Sequence, residues 1–134
     1  KFSIDLKKKL IKNIMLPVSA PFHCELMSKA TEIMKKEIKN LNFQVCDKVL
    51  VSNVTATKMT EIPDIKNLLI KQIESRVRWR ESIKYMVEGG TEEFIEIGPG
   101  KVLSGLIKRI DKKLKVSAIN NEEDINIIKN KNEF

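Results

Sequence analysis

The sequence predicts an α/β fold in which short parallel strands alternate with helices. Two observations carry this prediction. The segments 93–97 and 114–119 have the composition of strands and flank a helical pattern at 102–110. The run at 48–52 is short and apolar, as strands buried in a parallel sheet are. Such alternation predicts a right-handed crossover between parallel strands.

The first half of the chain is predicted to begin with a short helix at 3–12, with Ser3 as a candidate N-cap, and a strand at 14–18 that ends near Pro17. Apolar residues then recur at the 3.6-residue period from 26 to 41, which indicates an amphipathic helix. Extended segments are expected at 43–45 and 48–52, followed by a loop at 53–59.

In the second half, Pro63 occupies a position that the first turn of a helix tolerates, and the apolar spacing continues to Ile73. A further helix at 79–88 is predicted to stop at Gly89. The remaining predicted elements are the strand at 93–97, a turn at 98–100, the helix at 102–110, the strand at 114–119 and a last helix at 121–129.

The chain has 134 residues, of which 42% are apolar, so it can bury a core of its own. The small number of predicted strands indicates part of a larger domain. A net charge of +7, spread along the chain, favours an acidic partner or a lysine-rich solvated surface. The 7 aromatic residues show no base-stacking pattern, which argues against nucleic acid as that partner.

The two cysteines, Cys24 and Cys46, form no metal or redox motif and indicate a reducing compartment. With one histidine they are too few for a structural zinc site, so no metal is expected. No apolar run of about 18 residues and no signal peptide is present, so we expect a soluble protein of the cytoplasm or an organellar matrix, away from membranes.

His23 is the only histidine and the only side chain that readily exchanges a proton near neutral pH. Taken alone, a histidine at a helix start is more often a capping or packing residue than a base. A nucleophile is missing, because no serine stands in a G-x-S-x-G elbow and the side chain of Cys24 diverges from its neighbour. The turn at 98–100 matches neither standard phosphate-binding pattern and is best explained as a tight turn that needs glycine.

Four blocks in order resemble bacterial-type malonyl-CoA:acyl carrier protein transacylase, and they correspond to the C-terminal part of that family. The blocks are PVSAPFHCELM at 17–27, VSNVT at 51–55, KQ and VRW at 71–79, and IEIGPGKVL at 95–103. The family's G-H-S-x-G segment, with its nucleophilic serine, is not in this chain.

The resemblance implies that His23 is the general base and that the backbone carbonyl of Gln72 orients its ring. It also implies a substrate pocket that includes Phe22, Asn53 and Val102. A phenylalanine beside the histidine would exclude an α-methyl branch and favour malonyl, although it would serve equally well as a staple against the helix. Arg76 departs from the family pattern, where a proline is common, and this affects the loop beside Gln72.

The family's fold is an α/β-hydrolase-like parallel sheet with flanking helices. By this resemblance residues 1–18 would end a small ferredoxin-like subdomain, and residues 19–134 would form the C-terminal part of the large acyltransferase domain.

The implied reaction moves a malonyl group from coenzyme A to acyl carrier protein through a serine ester, with malonyl-CoA as substrate and no permanently bound cofactor. The implied partners are acyl carrier protein and the missing N-terminal portion. The chain alone would be inactive, and exposed sheet edges would favour self-association. The alternative is a catalytically inactive fragment that binds acyl carrier protein or a complementary N-terminal half.

Overall fold

The computed structural model describes residues 2–13 and 20–131. Six helices, four strands and one 3-10 turn at Glu25–Met27 make up this part of the chain. The elements are α1 (Phe2–Lys8), α2 (Ser28–Asn40), β1 (Leu50–Val51), β2 (Lys58–Met59), α3 (Ile62–Lys71), α4 (Trp79–Glu88), β3 (Glu93–Ile97), α5 (Val102–Ile110), β4 (Lys115–Ile119) and α6 (Glu122–Lys131).

Strands β3 and β4 pair in parallel, in a register that runs from Glu93 opposite Lys115 to Ile97 opposite Ile119. The helix α5 connects them, so the predicted strand, turn, helix and strand are confirmed, and so is the α/β class. Both α4 and α5 have the predicted bounds, because each carries a single apolar face and ends where that periodicity stops.

The core lies between α4, α5 and the two parallel strands. It is centred on Ile83, Ile107 and Leu114, of which Ile83 is only 1% exposed. Around these three pack partly buried apolar side chains from the same elements. Burying an aliphatic side chain of this size contributes about 1.5–3 kcal/mol, so this cluster is the main source of stability for the second half of the chain.

The prediction of a strand at 48–52 in a parallel sheet is wrong. Only Leu50–Val51 is a strand, and it pairs antiparallel with Lys58–Met59 inside the predicted loop. No strand forms at 43–45. The hairpin closes because the buried Ser52 hydroxyl accepts hydrogen bonds from the backbone N–H groups of Val54 and Thr55. The apolar run predicted a parallel sheet, but in the described residues no parallel neighbour lies beside it.

The first helix differs from the prediction at both ends. It begins at Phe2, which places Ser3 inside the helix, where its hydroxyl donates to the side chain of Asn13 instead of capping the helix. The predicted strand at 14–18 lies outside the described residues. The subdomain boundary after residue 18 and the ferredoxin-like assignment of residues 1–18 stay predictions.

One face of the parallel sheet is exposed along β3, whereas α6 packs against β4. Phe94 and Glu96 of β3 are half-buried on the side of α4 and α5, whereas Ile95 and Ile97 point the other way and are 44% and 80% exposed. Parallel sheets are ordinarily covered on both faces. Much of the apolar face of α2 is exposed as well, including Ile33 at 62%. Both surfaces leave aliphatic side chains in contact with solvent.

Candidate active site

His23 lies in a tight bend between Ala20 and the 3-10 turn that leads into α2. Its backbone φ of 60° is in the left-handed region, which histidine enters more readily than bulky or β-branched residues but at some energetic expense. The neighbouring Cys24 thiol donates to the carbonyl of Pro21 at 3.2 Å, which helps to hold the bend. The histidine is therefore placed by a constrained loop that leaves its ring exposed.

The ring of His23 meets the end of α3. Its Nδ1 atom lies 2.8 Å from the backbone carbonyl oxygen of Gln72. Gln72 is the C-cap of α3, and the last carbonyls of a helix have no partner within that helix. Because a carbonyl only accepts, Nδ1 must donate, and the Nε2 atom of the neutral ring is left as an acceptor. The geometry thus holds the histidine in the tautomer that a proton-abstracting base needs.

Asn53 joins the same cluster through both its side chain and its backbone. The Asn53 Nδ2 atom donates to Gln72 Oε1 at 3.2 Å. The Asn53 carbonyl accepts the Arg78 N–H at 2.9 Å, and the Arg78 guanidinium donates to the carbonyl of Thr55 at 3.0 Å. The β1–β2 loop, the end of α3 and the start of α4 are therefore fastened together at Asn53.

Phe22 and Val102 are both exposed, at 61% and 71%. Phe22 precedes His23 directly in the sequence. Val102 is the first residue of α5, and the hydrogen bonds of the described residues do not connect it to His23, Gln72 or Asn53. The structure therefore brings three of the five predicted site residues into one hydrogen-bonded group, which Phe22 adjoins only in sequence.

The turn at 98–100 requires glycine, since φ is 141° at Gly98 and 93° at Gly100. Its backbone is pinned by the Asn120 side chain, which accepts the Gly100 N–H at 2.6 Å. The start of α5 is already satisfied by Glu96, whose carboxylate accepts the backbone N–H groups of Leu103 and Ser104 and the Ser104 hydroxyl.

These bonds, led by the one from the Ser104 hydroxyl, lower the pKa of Glu96. The Glu96 carboxylate occupies the N–H donors at the start of α5 that a phosphate would need. The turn at 98–100 is therefore a structural one. Sequence reasoning missed the capping role of Glu96. The sequence did contain a signal for this role: an acidic residue in the strand just before a helix can reach the N–H groups of the first helical turn.

A second surface lies between α4 and α5. A groove of about 510 Å³ is lined by three arginines, by Glu81 and by apolar side chains. The lining includes Arg76, Arg80 and Arg109 together with Trp79 and Leu106. Arg76 also pairs with Glu81 at 3.3 Å. We refer to this surface as the arginine groove.

Within residues 2–13 and 20–131, no group of three histidine, cysteine or acidic side chains is arranged to hold a metal ion. The helices of this part of the chain are all too short or too polar to cross a membrane. The His23 ring has no serine or cysteine as a hydrogen-bond partner among these residues, so the described site contains an acceptor nitrogen without a nucleophile.

Comparison with known proteins gives a consistent result. No family model matches the chain. The malonyl CoA-acyl carrier protein transacylase of Bacillus subtilis is 44% identical over 130 residues, which cover 92% of this chain and 41% of that protein.

Among solved structures, the acyl-carrier-protein-S-malonyltransferase of Bartonella henselae is 35% identical with a TM-score of 0.85, over 96% of this chain and 42% of its own. A malonyl-transacylase in complex with a type II PKS acyl-carrier protein is 32% identical with a TM-score of 0.80, over 87% of this chain and 38% of its own.

The fold is α/β, and these relatives are named as acyltransferases. Within that class the chain corresponds to the C-terminal portion of malonyl-CoA:acyl carrier protein transacylase, as the sequence blocks indicated. The chain spans about 40% of the length of the curated relatives it matches.

Proposed function

We propose that this chain supplies the general base, its orienting carbonyl and part of the substrate pocket of a malonyl-CoA:acyl carrier protein transacylase. The nucleophilic serine would come from the N-terminal portion of the enzyme, which lies outside the part of the relatives that this sequence matches. The observation that supports this most directly is the 2.8 Å contact between His23 Nδ1 and the Gln72 carbonyl oxygen.

In the first half-reaction His23 Nε2 takes the proton of the serine hydroxyl as the serine oxygen attacks the thioester carbon of malonyl-CoA. The imidazolium then returns that proton to the departing thiolate of coenzyme A, which leaves a malonyl-serine ester. In the second half-reaction Nε2 takes the proton of the phosphopantetheine thiol of acyl carrier protein. The thiolate attacks the ester, and the proton goes back to the serine oxygen.

During both steps the Nδ1–H keeps its bond to the Gln72 carbonyl. A carbonyl is neutral, so it stabilises the imidazolium less than a carboxylate would. Its main contribution is to fix the ring and its tautomer while the proton moves at Nε2.

Phe22 directly precedes the proposed base in the sequence and is exposed, and its ring would limit the room for a branch on the acyl chain and so favour malonyl over methylmalonyl. Val102, exposed at the start of α5, would line the same pocket once the remaining portion is in place. No permanently bound cofactor is needed, because serine, histidine and the two thiols supply all the groups that react.

Acyl carrier protein is the proposed protein partner. Such carriers are acidic, the chain has a net charge of +7, and the arginine groove concentrates positive charge beside apolar contact area. A structural relative is named as a complex with such a carrier. We place this reaction in the cytoplasm or an organellar matrix.

The N-terminal portion of the enzyme is the second proposed partner. The exposed Ile95 and Ile97 on the open sheet face, and the exposed apolar residues of α2, would be covered by it. In its absence the same surfaces would drive self-association of the chain.

The test is a chimera in which the N-terminal portion of the Bacillus subtilis relative precedes this chain. Malonyl transfer from malonyl-CoA to acyl carrier protein should occur in the chimera, and His23→Ala should lower kcat by about 10²–10⁴-fold. Mass spectrometry of the isolated chain with malonyl-CoA should show no malonyl adduct. A stable adduct on the isolated chain, or full activity of the His23→Ala chimera, would refute the proposed division of roles.

The alternative is an inactive fragment that binds acyl carrier protein, and the arginine groove favours it independently of His23. It predicts salt-sensitive binding that is unchanged by His23→Ala, together with a chimera that binds the carrier but transfers nothing.

A further inference from the structure

We infer that Asn53 is a positioning residue for the proposed base, and that it acts through the side chain of Gln72. This inference rests on the proposed function, and it assigns Asn53 a different role from the substrate contact expected from the sequence. The structural basis is a continuous set of hydrogen bonds, from Arg78 through Asn53 and Gln72 to His23.

The carbonyl that holds His23 belongs to a residue just past the end of α3. The chain continues from α3 as hydrogen-bonded turns, so the direction of the Gln72 carbonyl depends on those turns and on what holds the Gln72 side chain. Two backbone bonds hold this turn: the Gln72 N–H donates to the Leu68 carbonyl at 3.0 Å, and the Ile73 N–H, which shares a peptide plane with the Gln72 carbonyl, donates to the Ile70 carbonyl at 3.3 Å. The Gln72 side chain supplies a further attachment, through Oε1 to Asn53 at 3.2 Å.

Asn53 is itself rigidly placed. It follows Ser52, which is 3% exposed and closes the β1–β2 loop with its hydroxyl. Its backbone carbonyl accepts the Arg78 N–H at 2.9 Å, immediately before α4. The Asn53 amide therefore ties Gln72 to the β1–β2 loop and to the start of α4.

A small cavity of about 110 Å³ is lined by both residues and by apolar side chains of β1, β2 and α3, including Leu68 and Met59. Loss of the amide pair would leave a half-buried donor or acceptor without a partner beside this apolar space. Gln72 would then turn to another partner, and its carbonyl would leave the line of the His23 Nδ1–H bond.

The experiment uses the fact that the chain has a single histidine, so its imidazole signals need no assignment. Long-range ¹H–¹⁵N correlation spectra of the neutral ring distinguish the Nδ1–H tautomer from the Nε2–H tautomer. In the wild-type chain the Nδ1–H form should predominate. In Asn53→Leu, which keeps a side chain branched at Cγ but removes the amide, that predominance should be lost.

Two further variants make the test specific. Gln72→Leu keeps the backbone carbonyl and removes only the side-chain amide, so it should reproduce the effect of Asn53→Leu. The double variant should show no larger effect than either single variant. Asn53→Asp should restore the wild-type tautomer, because the Gln72 amide can rotate and donate to the carboxylate. Asn67→Ala, an exposed asparagine on α3, is the matched control and should leave the tautomer unchanged.

An unchanged tautomer in a folded Asn53→Leu or Gln72→Leu chain would overturn the inference. If Asn53→Leu fails to fold, as shown by loss of the dispersed amide spectrum, Gln72→Leu alone decides. In the chimera, Asn53→Leu should lower kcat up to about 100-fold with a smaller change in KM, as misplacement of a reacting group does. Because the tautomer is read without turnover, an inactive chimera would count against the proposed function and leave this inference standing.

Discussion

The Nδ1 atom of His23 lies 2.8 Å from the carbonyl oxygen of Gln72, a residue 49 positions further along the chain. The contact joins a bend whose backbone is in the left-handed region to the C-cap residue of α3. A strained bend and the end of a helix thus combine to orient one imidazole.

The left-handed backbone of His23 predicts an order of stabilities among its variants. His23→Gly should be more stable than His23→Ala by about 1 kcal/mol, because glycine adopts a φ of 60° without the steric penalty that Cβ brings. His23→Val should be the least stable, since a branched side chain is the most strained there. Urea unfolding followed by Trp79 fluorescence measures the order, and an alanine variant as stable as the glycine variant would contradict it.

The cap that Glu96 places on α5 predicts a pH dependence of stability. Its hydrogen bonds, first from Ser104, lower its pKa below the ordinary value of 4.5. The stabilisation is therefore fully present above the unfolded pKa and is lost as the pH falls through the lower folded pKa.

The variant Glu96→Gln should lower the urea midpoint at pH 7 and reduce its fall between pH 5 and more acidic solution. Glu93→Gln, at an exposed position on the same strand, is the control and should keep the wild-type profile. An unchanged acid profile in Glu96→Gln would show that the cap contributes no stability.

The core and the open surface should respond differently to the same truncation. Ile83 is 1% exposed and packs at the centre of the core, so Ile83→Ala should destabilise the chain by about 2–5 kcal/mol. Ile33 on α2 is 62% exposed, and Ile33→Ala in the isolated chain should change the free energy of unfolding by no more than about 0.5 kcal/mol. In the chimera, a clear loss of stability from Ile33→Ala would show that the N-terminal portion covers α2.

The elements predicted correctly from the sequence are those whose partners are close in the chain. The helices α4 and α5 and the strand β3 pack on one another within about thirty residues, so their local apolar patterns already reflect their surroundings. The run at 48–52 has the pattern of a buried parallel strand, but a pattern does not specify which neighbour is present, and here the chain turns back on itself at Ser52.

Local sequence patterns predict less of the candidate site than of the fold. His23 and Gln72 are separated by 49 positions, and no spacing rule connects them, so their pairing was expected only through the family resemblance. The use of the Asn53 amide by Gln72 could not be predicted at all, because it depends on the loop geometry that Ser52 creates.

The open face of the sheet predicts the behaviour of the isolated chain in solution. Ile97 is 80% exposed on a strand whose other face is packed, so this surface should promote self-association. Ile97→Lys should lower the average mass measured by sedimentation equilibrium without lowering the urea midpoint. A wild-type chain that is monomeric at all concentrations would argue that the exposed face is tolerated in water.

The arginine groove predicts how an acidic carrier binds. Arg109 lines the groove beside Leu106, and its reversal in Arg109→Glu should slow association with acyl carrier protein and flatten the salt dependence of the rate. Lys35→Glu makes the same change of charge at an exposed position on α2, away from the groove residues, and should have a smaller effect. Stopped-flow measurements with a fluorescent carrier at several salt concentrations compare the two. Equal effects of the two reversals would mean that only net charge matters, and a lack of effect from Arg109→Glu would remove the groove as the docking surface.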